Sequence, residues 1–152
     1  MGSRERVSDY LSKSRAKYEL REFDGSTKNS VLAAQALGCS VAEIAKSVVF
    51  VGEKTVVVII SGDKRVDGAK LANIMGADLR IAKADEVRDS TGFPIGGVPP
   101  FPHGESITVL ADTSLTRFGR VWAAAGTPNS VFRMGTPDLL RLLGSKPVDV
   151  AE

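Results

Sequence analysis

The stretch SVVFVGEKTVVVIIS, residues 47–61, decides the fold. Ser47–Val51 and Thr55–Ser61 are short apolar runs rich in β-branched residues, so each reads as a buried strand. Gly52-Glu53-Lys54 lies between them as a hairpin turn. Upstream, Ser40 and Glu43 form an S-x-x-E capping box, which predicts a short helix of about two turns from Val41. Before it, Asn29 or Ser30 caps a helix VLAAQAL that Gly38 ends. Val7, Tyr10 and Leu11 give the amino-terminal segment helical spacing, with Ser8 as its cap, and Tyr18–Phe23 alternates as a half-buried strand. Asp24-Gly25-Ser26 reads as a turn.

Downstream, Asp67 caps a helix AKLANIM closed by Gly76, Leu79–Ala82 is a short strand, and Asp85–Asp89 a helical turn. ITVLAD reads as another buried strand, followed by a short helical return TSLTRF. RVWAAAG and SVFRM are two strands joined by Gly126-Thr127-Pro128-Asn129. Thr136 caps a last helix that has Pro137 at its first position and Gly144 after its end. Helices and strands alternate without repeat or linker. The expectation is one mixed α/β domain over residues 1–152.

Composition narrows the class. The chain has 152 residues, 43% hydrophobic, 25% charged and 6% aromatic, as ordinary globular proteins do. Cys39 is the only cysteine and cannot form an internal disulfide, which points to a reducing compartment. No apolar run approaches the roughly 20 residues that cross a bilayer. MGSRERVSDY lacks the apolar stretch of a signal peptide. A soluble cytoplasmic protein without membrane contact is expected. Net charge is only +2, though Arg4, Arg6, Lys13, Arg15, Lys17 and Arg21 make the first segment basic. That segment is either a phosphate-facing surface or a solvated helix face.

Familiar catalytic patterns are missing. One histidine and one cysteine cannot build the common zinc sites, so no metal and no cofactor are expected. No G-x-S-x-G elbow occurs, no P-loop spacing follows Gly62 or Gly68, and Gly96-Gly97 lacks dinucleotide-binding spacing. Two features remain. Lys46 stands where the short helix gives way to the strand, either as a cation favoured by the helix dipole or as a partly desolvated ammonium aimed into a cleft. The loop from Thr91 to His103 is rich in Gly and Pro, either a plain connector or a rigid ligand-binding loop.

AEIAKSVVF, SGDKRVD, TGFPIGGVPPF, WAAAGTPNSVFRM and TPDLL, in that order and spacing, resemble the YbaK/ProX family. These are aminoacyl-tRNA deacylases related to the editing insertion of bacterial prolyl-tRNA synthetase. The resemblance runs from about Tyr18 to Val150. It implies a mixed α/β fold on a curved, barrel-like sheet flanked by short helices. It also implies hydrolysis of the ester joining a wrong amino acid, alanine or cysteine on proline tRNA, to the tRNA 3′ end. The implied partners are the tRNA acceptor end with its attached amino acid and an aminoacyl-tRNA synthetase. A non-catalytic binder of aminoacyl-tRNA or of a synthetase is the alternative of the same fold, and a small-molecule binding domain a third.

Such a reaction needs a held carbonyl, a stabilised oxyanion and a positioned water or ribose hydroxyl, but no metal. The resemblance implies that Lys46 is the residue most needed for activity, a catalytic cation that either holds a phosphate or orients the carbonyl, and the Gly96 and Gly97 amides are the expected oxyanion donors. Val98, Pro99, Pro100 and Phe101 are expected to form a wall that excludes larger amino acids. The family often has Ser or Thr where Pro99 stands, which leaves the preferred amino acid open. His103 and Asn129 either line the cleft or are a surface histidine and a turn asparagine. Cys39 reads as a small buried side chain.

Overall fold

The computed structural model describes residues 2–25 and 29–152. In chain order the elements are α1 (Ser3–Lys13), β1 (Tyr18–Glu22), α2 (Ser30–Leu37), β2 (Ile44–Gly52), β3 (Thr55–Ser61), α3 (Gly68–Met75) and β4 (Leu79–Ile81). Then follow α4 (Ala84–Thr91), β5 (Ile107–Ala111), β6 (Arg120–Ala124), β7 (Ser130–Gly135) and α5 (Thr136–Leu143). Ser26 of the expected 24–26 turn lies outside the described residues.

Among the described residues, seven strands join one mixed sheet in the order β1-β7-β6-β2-β3-β5, with β4 on β2. The hairpin read from residues 47–61 is the antiparallel β2–β3 pair, and Val56, Val57, Val58, Ile59 and Ile60 have no solvent exposure. Each such side chain contributes about 1.5–3 kcal/mol on burial. The expected barrel does not form. β1 and β5 end the sheet and do not pair with each other, so it is an open, mixed sheet.

Both faces are covered. Val7 and Leu11 of α1, Val87 of α4 and Leu139 of α5 pack with Phe93 and Phe101 on the face of Val49, Val57 and Ile59. The opposite face carries Phe50, Val58 and Ile60 under Leu71 of α3. On that face α2 sets Ala33 and Ala34 on Ile44, Trp122 and Val131.

Local readings fail in three places. The helix expected from Val41 is one 3₁₀ turn, Val41–Glu43, although the Ser40–Glu43 box forms, with Ser40 N–H donating to Glu43 Oε1 at 3.1 Å. Ile44 and Ala45 pair instead with Trp122 and Ala123 of β6, and strand pairing takes over what local propensity assigned to helix. Ser8 is interior to α1, which begins after Gly2; complete burial of Val7 and Leu11 places the helix earlier. Thr136 is the first helical residue, not the cap, and its Oγ1 donates to the Phe118 carbonyl at 2.6 Å.

Candidate functional site

β3 occupies one whole edge of β2, so β6 and β4 must share the other. β6 pairs in parallel only at Ile44↔Trp122 and Ala45↔Ala123, and β4 begins at Phe50↔Ile81. The sheet therefore splits between Lys46 and Val48. A cavity of about 650 Å³ opens at this split. Its walls are α2, through residues such as Val31 and Gln35, the amino-terminal end of β2, the turn at Ile95 and Gly96 with Val98, and β6–β7 through Trp122 and Val131. Val31 at 53% and Ile95 at 56% exposure give the site an apolar rim.

Lys46 lies in this cavity's lining, third residue of β2 and opposite Ile60 of β3. It sits inside a strand, so the helix-dipole reading of it falls. Its Nζ donates to the Gly62 carbonyl at 3.4 Å, a long bond that leaves the ammonium loosely held. Burial pushes its pKa below the ordinary lysine value; nearby Asp63 opposes that and Arg65 adds to it. Asp63 is itself clasped by Arg117 through two bonds of 2.7 and 3.1 Å. The cation is partly desolvated and faces open volume.

The loop opposite is built around one turn. Gly97 N–H donates to the Pro94 carbonyl at 2.9 Å, and Gly96 takes φ +82°, as the third position of a type II turn requires. A Cβ on Gly97 would come within 2.8 Å of the Thr127 backbone, so glycine there serves close approach of two chains. This corrects the expected oxyanion pair: the Gly97 amide is already committed, while Gly96 lines the cavity.

Of the expected specificity wall, Val98 lines the cavity. Pro99 and Pro100 are buried outside its lining, and Phe101 belongs to the core, with ring centroids 4.7 Å from Tyr10 and 5.7 Å from Phe132. His103 does not line the cleft. Its Nε2–H donates to the Pro99 carbonyl at 2.7 Å and its ring meets Phe93 edge-on, which braces the loop from behind. Burial lowers its pKa, opposed by the Pro99 bond and assisted by Arg6. Asn129 holds the β6–β7 turn to the end of β1, exchanging bonds of 2.8 and 3.3 Å with Phe23. It also lies outside the cavity.

Trp122, Ala45, Ala123 and Ser47 line the cavity without having been singled out in sequence. Ala45 and Ser47 carried a signal only as the neighbours of Lys46. Trp122 is held by Arg21 and Arg133, 5.2 and 5.0 Å from its ring, with Glu19 bound to both arginines at 3.1 and 3.0 Å. Other cations of the first segment are also engaged: Arg4 with Glu22, Lys13 with Asp9 and Arg6 with the Gly92 carbonyl. Among the described residues no three His, Cys, Asp or Glu side chains converge as a metal-holding group, and no helix is long and apolar enough to cross a membrane.

Residues 24–142 match the aminoacyl-tRNA editing domain family. An uncharacterized Bacillus subtilis (strain 168) protein, YwhH, is 34% identical over 130 residues, 84% of this chain and 83% of its own. The proline–tRNA ligase of Latilactobacillus sakei subsp. sakei (strain 23K) is 37% identical over 75 residues, 48% of this chain but 13% of the ligase. A solved structure described as a candidate trans-editing enzyme for prolyl-tRNA synthetase superposes with a TM-score of 0.90. It is 39% identical, and the match covers 100% of this chain and 98% of that one.

Proposed function

Because the chain belongs to the aminoacyl-tRNA editing domain family, we propose that it is a hydrolase acting in trans on mischarged tRNA. Its substrate is the ester between a small wrong amino acid, alanine or cysteine, and the 3′ end of proline tRNA. The observation that carries this reading is the Lys46 ammonium, partly desolvated at a 650 Å³ cavity whose other wall is the Gly96 turn. The candidate trans-editing relative, alike along nearly its whole length, supports action on tRNA charged by a separate synthetase.

An aminoacyl ester is already activated, so positioning and charge stabilisation suffice. Water oxygen adds to the carbonyl carbon, and negative charge gathers on the carbonyl oxygen. The bond to the ribose oxygen then breaks, and that oxygen leaves with a proton, giving free amino acid and tRNA. Lys46 supplies positive charge toward the developing oxyanion or the neighbouring phosphate, and the Gly96 amide one donor. Val98, with Ala45 and Ala123, bounds the volume for the amino-acid side chain. A clash there rejects a larger residue, which is how a second sieve works.

The decisive experiment is deacylation of a panel of mischarged tRNAs by the purified protein. Release of alanine or cysteine from proline tRNA, with correctly charged tRNA spared, is expected. Binding without release across the panel would replace the hydrolase with a non-catalytic aminoacyl-tRNA binder.

A further inference from the structure

With the Gly97 amide committed to Pro94, the cavity lacks one of its expected carbonyl-binding donors. Ser47 offers two that the fold does not use. Its hydroxyl is buried and has no hydrogen-bond partner among the described residues, although Ser47 belongs to the cavity lining. A buried hydroxyl left unpaired costs folding free energy, so packing gives no reason for its presence.

On the edge away from β3 its main chain, too, has no strand partner among the described residues. The bond from Gly62 N–H to the Ile44 carbonyl fixes which β2 residues turn their peptide groups toward β3. Ile44, Lys46 and Val48 do so, and Ala45, Ser47 and Val49 turn theirs to the opposite edge. There Ala45 is matched with Ala123 of β6, and the Val49 carbonyl accepts from Ala82 N–H at 2.9 Å. Ser47 falls between, where β6 has left and β4 has not begun. Its amide points into the split in the sheet, next in sequence to the Lys46 charge.

We infer that Ser47 is the carbonyl-binding residue of this site: its amide N–H, and its Oγ–H after rotation about χ1, donate to the carbonyl oxygen of the bound aminoacyl ester. The hydroxyl leaves no bond behind when it turns. Lys46 projects from the other face of the same strand and brings positive charge to the same opening. No covalent step involves Ser47. This inference rests on the deacylase reading and adds to it the group that grips the ester.

The test uses a stable analogue, an adenosine carrying alanine through a 3′-amide in place of the ester. In the wild-type protein, titration should move the Ser47 amide proton downfield and leave the Gly97 amide in place. Ser47→Ala should bind the analogue about tenfold more weakly while melting no lower than wild type. That split separates a carbonyl-binding role from a packing role, which would lower the melting temperature and spare affinity. An unmoved Ser47 amide, or equal affinity in the two proteins, overturns the assignment. Equal affinity alongside active deacylation leaves the hydrolase reading intact and removes only Ser47. Failure of the wild type both to bind the analogue and to deacylate any mischarged tRNA removes the reading and this inference together.

Discussion

At its carboxy-terminal end β2 is paired on both edges, by β3 and β4, and Phe50 on its face is 4% exposed. At its amino-terminal end β6 pairs two residues and departs, and the face carries Lys46 in the row that Phe50 continues. The two ends share a strand, a neighbour in β3 and an alternation of faces. They differ in one missing sheet partner. Where the second partner persists, side chains serve packing; where it departs, peptide groups and an ammonium are left facing volume that a ligand can enter.

Exchanging side chains at the two ends should separate stability from activity. Phe50→Ala empties a packed site and should cost about 3–5 kcal/mol of unfolding free energy, read by denaturant titration, with turnover per folded molecule unchanged. Lys46→Ala should do the reverse, lowering deacylation turnover about 10²–10³-fold with little change in melting temperature. Equal stability losses in both variants would erase the contrast. A loss in Lys46→Ala confined to the Michaelis constant would move its charge from the carbonyl to a phosphate.

Gly97→Ala tests whether the loop facing the open end is held by close backbone approach. The new Cβ meets Thr127 at 2.8 Å, which should cost about 1–3 kcal/mol and lower activity with it. The smallest effect is a pH dependence. The folded pKa of His103 lies below its ordinary 6.5, chiefly through burial, so at mildly acid pH the unfolded chain binds more protons. Stability should therefore fall as pH drops from about 6.5 through the folded value and level off beneath it. His103→Gln should flatten that slope in thermal melts across the same range.

Much of this was legible in sequence because it is local. The 47–61 hairpin follows from β-branched runs around a turn, and the Asn29 and Asp67 caps from side chains that reach amides two or three residues on. Lys46 and Gly96 could be singled out, and both line one cavity. What stayed hidden depends on partners distant in sequence. Pairing with Trp122 and Ala123 makes Ile44–Lys46 strand instead of helix. Contact with Thr127 explains Gly97, and burial against Phe93 explains His103. The α2 wall and the split beside Ser47 exist only once β6 has parted from β2, and the open sheet edge has no local signature at all.

The split also dates the site within the protein's own synthesis. Its walls come from residues 29–35, 44–47, 95–98 and 122–131, so its closing contacts are among the longest in the chain. Long-range pairings form late, after the local hairpin has nucleated. A ribosome-bound chain halted within the 126–129 turn would already own the β2–β3 hairpin yet lack Ser130 and Val131, the last part of the wall to emerge. The cavity is thus among the last things the growing chain acquires.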